Sequence, residues 1–179
     1  MKAASALVLV FLLVSVAAMT IEKRLKGFFP PNCKNANSTN WYQVDSYCVK
    51  HFKGPVEFGT AETNCVKEAP GGHLASVHSA QANNHFHNII MKHSSNNPRT
   101  WIGGMEIPST KTYIWTDASP WNYQAWESGE PGSWFWKSEH CVEMDYNVNK
   151  KWYDSACNTK LGYLCAYKPQ AATEGGGQE

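Results

Sequence analysis

The run CVEMDYNVNKKWYDSACNTKLGYLCAY, residues 141–167, carries the clearest fold signal in this chain of 179 residues. It contains three of the six cysteines and three short runs rich in apolar, aromatic or β-branched residues, at residues 141–144, 150–153 and 163–167. Polar turn residues separate these runs. The pattern predicts short β-strands joined by turns.

The region upstream predicts a hairpin and two helices. Residues 41–52 are rich in aromatic and β-branched residues and predict a strand or hairpin. Residues 59–68 predict a helix with Thr60 as its candidate cap, and residues 79–93 predict a second helix capped by Ser79. Helices followed by short strands, without βαβ alternation, indicate the α+β class.

Between these regions lies an irregular segment, residues 104–139. It has three prolines, several glycines and serines, and five tryptophans. A stretch of this length without a regular pattern inside a compact domain usually forms a functional loop. The binding surface is therefore expected in this segment.

The ends of the chain differ in composition from the rest. Residues 1–18 have an early cation, an apolar run and small residues before the predicted cleavage point, which is the layout of a secretory signal peptide. The apolar run is shorter than the ~20 residues of a bilayer span. We predict a secreted, extracellular protein with a short N-terminal segment (19–30), one domain (31–169), a disordered tail (170–179) and no membrane span.

Charge and motif content exclude several classes of function. The formal net charge is +1, so the chain lacks the basic surface that nucleic acid or an anionic membrane would require. It has no GxSxG, P-loop or GxGxxG motif. Glu130 and Glu139 are the acid pair considered for catalysis, but a surface loop is a poor support for two rigidly held groups. We predict a binding protein, not an enzyme.

The cysteine count predicts three disulfides. An even number of cysteines behind a signal peptide indicates a disulfide framework, and six cysteines allow fifteen pairings. The close CxxC-type pairs of zinc sites are missing from the sequence. The cysteines are Cys33, Cys48, Cys65, Cys141, Cys157 and Cys165.

Several motifs, in order and interleaved with the cysteines, resemble the C-type lectin-like domain family. Each one falls where that family has a characteristic motif. They are WIGG at residues 101–104 (family WIGL), WTD at 115–117 with residues 121–126, EPG at 130–132 (family EPN or QPD), EHCVEM at 139–144 (family ENCVEI) and WYD at 152–154 (family WND).

The resemblance implies a fold and one disulfide pairing. The fold has two helices, small antiparallel sheets, a long loop and three disulfides. The implied pairs are Cys65–Cys165 across the domain, Cys141–Cys157 beneath the long loop, and Cys33–Cys48 in the N-terminal hairpin of the long form.

The resemblance also implies a site for calcium and sugar. Carried over, the positions that bind both are Glu130, Gly132, Glu139, Tyr153 and Asp154. Three of them, Glu130, Glu139 and Asp154, are acids, which are the charged ligands that Ca²⁺ prefers. Their presence favours a residual Ca²⁺ site.

The other two positions depart from the family pattern. Gly132 has no side chain and Tyr153 has a phenol, so both amides of the family site are absent. Each amide gives a carbonyl oxygen to the metal and an N–H to a sugar hydroxyl. The site is therefore degenerate, and calcium-dependent sugar binding, calcium-independent sugar binding and binding of another surface all remain open.

A run of aromatic residues follows the EPG turn. Trp134 and Trp136 lie on a loop of small residues, where indoles can stack on the apolar face of a pyranose, and galactosides suit this best. The alternative is that these rings form a small core for the loop.

His140 replaces the usual Asn or Asp beside the site, where it is a spacer or a pH-sensitive group. His85 and His87 are predicted to be solvated surface residues.

We predict a secreted lectin that recognises glycans or glycoproteins on microbes or cells. One weak site per domain needs clustering, so a noncovalent homo-oligomer is expected. Asn37 begins an N-glycosylation sequon. The rival is a lectin-like domain without sugar binding that recognises a protein or a mineral or ice surface. Residues 122–127 favour it, because they resemble the NYxAWE run of pancreatic-stone-type proteins.

Overall fold

A computed structural model of the chain describes residues 29–34, 39–132 and 140–169. The predicted signal peptide, the sequon at Asn37 and the C-terminal tail from residue 170 lie outside the described residues. The regular elements are β1 (Tyr42–Val44), β2 (Tyr47–Val56), α1 (Phe58–Glu68), β3 (His73–Leu74), α2 (Ala80–Ser94), β4 (Thr100–Ile107), β5 (Thr112–Trp115), β6 (Cys141–Met144), β7 (Trp152–Ser155) and β8 (Leu161–Tyr167).

The strands form one connected sheet in the order β1-β2-β8-β4-β6-β7. Strand β3 pairs with β8, and β5 pairs with β4. Every strand pairing is antiparallel except that of β4 with β8, which is parallel and joins the two halves of the sheet. Two helices with this sheet confirm the α+β class and the C-type lectin-like architecture.

The irregular segment predicted over residues 104–139 is shorter in the structure. Strand β4 continues to Ile107, and β5 adds a second strand that pairs with it from Thr112 to Trp115. The sequence gives no clear strand pattern here because both strands depend on their mutual hydrogen bonds. The long loop of this chain comprises residues 116–140, and residues 133–139 of it lie outside the described part.

One of the two predicted helix caps is confirmed. Ser79 precedes α2, and its Oγ accepts a hydrogen bond of 3.0 Å from the backbone N–H of Ala82. The prediction for Thr60 is wrong, because α1 begins earlier, at Phe58, and its N-cap Glu57 makes no side-chain cap. The earlier start lets the helix bury Phe58 on its inner face, and burial outweighs the local cap preference.

The predicted disulfide pairing is confirmed. Cys65 of α1 is bonded to Cys165 of β8, Cys141 of β6 to Cys157, and Cys33 to Cys48 of β2. All six cysteines of the chain lie in the described residues and none of them is free. A covalent dimer through cysteine therefore has no thiol available.

Two glycines in β4 permit close packing against neighbouring elements. A Cβ on Gly103 would lie 2.6 Å from the carbonyl oxygen of Leu74, and a Cβ on Gly104 would lie 2.6 Å from Cγ2 of Val142. Gly104 stands where the family motif WIGL has leucine. Trp121 approaches the vacated space, with its Cη2 3.1 Å from the same Cβ position.

Tryptophans anchor the long loop to the core. Trp121 and Trp126 belong to an irregular segment where a core is not expected, yet their ring centroids each lie 5.8 Å from that of Trp152. Trp121 also packs 4.3 Å from Trp115. Trp152 is fully buried, and its indole N–H donates to Asn83 of α2. The first part of the loop is therefore a fixed part of the domain.

His51 is a buried neutral histidine in β2. Thr100 donates its hydroxyl proton to the carbonyl of Pro98, so the His51 Nε2–H donates to Thr100 Oγ1, at 3.2 Å. Burial, with smaller contributions from His93 and Lys53, lowers the pKa of His51 from 6.5 to about 4. The folded protein thus holds this ring uncharged where the unfolded chain would protonate it.

Acidification is expected to destabilise the protein through His51. Because the folded pKa is the lower one, the stabilising contribution is complete above pH 6.5 and is lost as the pH falls toward about 4. His51→Gln keeps an N–H donor and removes this titration. In urea unfolding at several pH values, its stability should fall less steeply than that of the wild type, by up to about 1.4 kcal/mol per pH unit. Equal slopes for the two proteins would contradict the assignment.

Candidate functional site

Three of the predicted site residues converge at the end of the long loop. The backbone N–H of Gly132 donates to Glu130 Oε2 at 2.8 Å and to Asp154 Oδ1 at 2.9 Å. Because both carboxylates accept from the same N–H, Glu130 of the loop and Asp154 of β7 lie close together. Asp154 is only 4% exposed, so its carboxylate depends on such donors.

Backbone hydrogen bonds hold this part of the loop against β7. Trp152 N donates to Ala125 O at 2.9 Å, and Glu127 N donates to Trp152 O at 3.0 Å. A turn follows, in which Glu130 N donates to Glu127 O at 3.0 Å. The position of Glu130 relative to Asp154 is therefore fixed by the main chain as well as by side chains.

His140 and Glu106 extend the site in a way that the sequence did not indicate. His140 Nδ1 lies 2.6 Å from Glu106 Oε2 and 3.2 Å from Asp154 Oδ2. Glu106 belongs to β4, and its backbone N–H donates to the carbonyl of His140. Only the pairing of β4 with β6 brings these residues together, so no sequence pattern could have found Glu106.

Tyr113 is a partly buried neighbour whose pKa is affected by the charges of these carboxylates. Burial raises the pKa of Tyr113, and the charges of Asp154, Glu106 and Glu130 raise it further, in that order. Its hydroxyl is buried and has no hydrogen-bond partner among the described residues. Its ring packs 4.9 Å from that of Trp126. The acids thus lie beside the aromatic anchor of the loop.

Tyr153 takes part in a separate network. Its hydroxyl donates to Glu127 Oε2 at 3.0 Å and accepts from the amides of Asn147 and Asn149 at 3.0 and 3.1 Å. Asn149 also donates to Glu127. Successive side chains of a strand point to opposite faces, so the phenol does not replace the family's amide beside Asp154.

The remaining predicted site residues, Trp134, Trp136 and Glu139, lie outside the described residues. Of the described site residues, the structure brings Glu130 and Asp154 together around the Gly132 N–H. It directs the Tyr153 hydroxyl elsewhere.

His87 is not the solvated surface residue that the sequence predicted. Its Nδ1 lies 2.9 Å from both carboxylate oxygens of Asp145, and its side chain is 13% exposed. Asp145 is fully buried and also accepts from Lys150 N. The ion pair links α2 to the turn between β6 and β7, and this long-range contact is invisible to helix periodicity.

The described residues alone do not form a calcium site. Ca²⁺ takes six to eight oxygen ligands. Within residues 29–34, 39–132 and 140–169, no group of three or more His, Cys, Asp or Glu residues is arranged to hold a metal. Glu130 and Asp154 accept from Gly132, and Asp154 also meets the imidazole of His140. Gly132 itself has no side-chain oxygen to offer.

Comparison with known proteins gives consistent results. The sequence profile of the Lectin C-type domain matches residues 54–167. A lectin from Pleurodeles waltl is 31% identical over 158 residues, covering 88% of this chain and 91% of that protein. The galactose-specific lectin nattectin from Thalassophryne nattereri is 33% identical over 126 residues, covering 70% of this chain and 77% of that protein.

Solved structures resemble the fold. A calcium-independent type II antifreeze protein has 27% identity and a TM-score of 0.63, covering 73% of this chain and 93% of its own. Human lithostathine has 22% identity and a TM-score of 0.68, covering 74% of this chain and 99% of its own.

Neither helix in the described residues is long and apolar enough to cross a membrane.

Proposed function

The chain belongs to the C-type lectin domain family, and on that premise we propose that it is a secreted lectin that recognises glycans through its long loop. The calcium site of this loop is degenerate, with EPG and WYD in place of EPN and WND. The observation that carries the proposal is the convergence of Glu130 and Asp154 on the Gly132 N–H. It brings polar groups of the loop and of β7 to one point.

The chemistry of the site suits sugar hydroxyls. Carboxylate oxygens accept hydrogen bonds from hydroxyls, and each missing amide donor costs a sugar about 0.5–1.5 kcal/mol. Trp134 and Trp136 follow directly in the sequence and supply stacking surface for the apolar face of a pyranose. Similarity to nattectin, a galactose-specific lectin, supports a galactoside as the ligand.

Binding, and not catalysis, is the proposed activity. The carboxylates of Glu130 and Asp154 accept from a backbone N–H, and His140 contacts Asp154. These contacts orient the groups for recognition. A noncovalent homo-oligomer would raise the avidity of a weak site. Glycans or glycoproteins outside the cell are the proposed partners.

Retention on lactose-agarose and mannose-agarose, with and without EDTA, tests the proposal. We expect retention on the lactose resin and competition by free lactose. Trp134→Ala should weaken binding about tenfold, the value of one lost ring contact. Tyr146→Ala is the matched control, because Tyr146 is an aromatic residue, 50% exposed, outside the long loop. Unchanged affinity in Trp134→Ala would eliminate the stacking proposal.

A second candidate function is recognition of a protein or of a mineral or ice surface. Similarity to an antifreeze protein at 27% identity favours it, together with the two missing amides. This candidate predicts no retention on either resin. An ice-recrystallisation or calcium-carbonate growth assay would then show inhibition by the protein.

A further inference from the structure

Internal donors occupy the site where the family holds its metal. The Gly132 N–H lies 2.8 Å from Glu130 Oε2 and 2.9 Å from Asp154 Oδ1. A divalent cation would compete with this N–H for the same two oxygens. The loop turn that delivers the N–H is itself fixed by the hydrogen bond from Glu130 N to Glu127 O.

His140 is a second internal group that meets these carboxylates. The Nδ1 of His140 lies 2.6 Å from Glu106 Oε2 and 3.2 Å from Asp154 Oδ2, which is within ion-pair distance of both carboxylates, although Asp154 Oδ2 accepts no hydrogen bond from it. The imidazole thereby links β4 to β7. Its side chain is only 13% exposed, so it is part of the packed site and not a spacer.

Two departures from the family pattern also argue against a bound metal at this site. Gly132 cannot give an amide oxygen to a metal, and the Tyr153 hydroxyl donates to Glu127 in a different network. In a calcium-binding site the ion would draw the acids together. Here the Gly132 N–H donates to Glu130 and Asp154, and the His140 imidazole lies within ion-pair distance of Glu106 and Asp154.

We infer that this site works without calcium, because the Gly132 N–H and the His140 imidazole take the place of the ion in holding Glu106, Glu130 and Asp154 together. The inference rests on the proposed function, in which the same loop binds a sugar. His140 is a positioning residue in this scheme. It orients Asp154 and Glu106, and the sugar contacts come from the loop.

Calcium titration of the full secreted chain tests the inference without any sugar. We expect no saturable heat on adding CaCl₂ to about 10 mM, well above the range of extracellular calcium modules. The midpoint of thermal unfolding should be the same in EDTA and in calcium. Saturable binding, or a calcium-dependent rise of about 3 °C or more, would overturn the inference.

Variants at His140 test its role as the second internal group. His140→Ala leaves Glu106 and Asp154 without it, so calcium should now raise the unfolding midpoint by at least about 3 °C. His140→Gln, which keeps an N–H donor, should behave like the wild type. A calcium response equal to the wild type in His140→Ala would overturn the role given to His140. If that variant does not fold, the wild-type titration still decides the main claim.

Sugar binding separates this inference from the proposed function. Retention on lactose-agarose in EDTA supports both. Retention that EDTA abolishes overturns the inference and leaves the lectin function intact. Absence of retention under all conditions contradicts the lectin function, and the calcium titration then judges the inference alone.

Discussion

Replacing Cys65 and Cys165 together by alanine is expected to lower the free energy of unfolding by about 5 kcal/mol. This disulfide closes a loop of sequence separation 100, from α1 to β8. In the chain-entropy description, a cross-link stabilises by restricting the unfolded chain, and the effect grows with loop length. A loss of this size is comparable to the whole stability of many domains.

Urea unfolding followed by circular dichroism measures the effect. The matched control is the double replacement of Cys33 and Cys48, whose disulfide spans a sequence separation of only 15. That variant should lose about 3 kcal/mol. Losses of equal size in the two variants would show that loop length does not govern stability here.

Replacing Arg99 by alanine is expected to cost about 3–5 kcal/mol. Glu143 in β6 is fully buried, and the Arg99 guanidinium donates to its two oxygens at 2.8 and 2.6 Å. The hydrogen bond to Glu143 raises the pKa of Arg99, and the charge of Glu143 also contributes. Without Arg99, the Glu143 carboxylate would remain in the protein interior. Among the described residues, the Ser155 hydroxyl would then be its remaining hydrogen-bond donor.

Two control variants isolate the buried charge. Arg99→Ala combined with Glu143→Gln should lose clearly less than Arg99→Ala alone, because a neutral amide is easier to bury than an unpaired carboxylate. Tyr146→Ala removes the ring that lies 4.5 Å from the guanidinium and should cost no more than about 1 kcal/mol. Chemical unfolding compares all three. If Arg99→Ala loses under about 1 kcal/mol, the ion pair is not the reason for the burial of Glu143.

The Arg99 ion pair also bears on the site. Arg99 directly precedes β4, Glu143 lies in β6, and Ser155 in β7 donates to the same carboxylate. Glu106 lies in β4, His140 directly precedes β6, and Asp154 lies in β7. Arg99→Ala is therefore expected to weaken sugar binding as well as stability, since the strand register sets the geometry of the site.

Local sequence patterns predicted the elements that depend on nearby residues. Residues 141–144 form β6 as predicted, and α2 begins after its cap Ser79. A strand was predicted at residues 150–153, and β7 forms at Trp152–Ser155. Two-residue alternation, helical spacing and capping act over a few positions, so the sequence displays them directly.

The network around Asp154 could be predicted only in part. Motif resemblance placed Glu130, Gly132 and Asp154 in one site, and the structure brings these residues to one hydrogen-bond donor. It did not anticipate Glu106, which reaches His140 because β4 and β6 are paired. That register results from packing between strands separated by the whole long loop.

Composition, cysteine count and motif order were sufficient to predict the disulfide-linked α+β fold and the family, because they depend on residue type and on the order of short motifs; secretion stays a prediction. The partners of His140, His87 and Arg99, and the packing of Trp121 and Trp126 under the loop, became visible only in the folded chain. Each depends on contacts between residues distant in sequence, and buried charges and rings take whichever partners the assembled strands present.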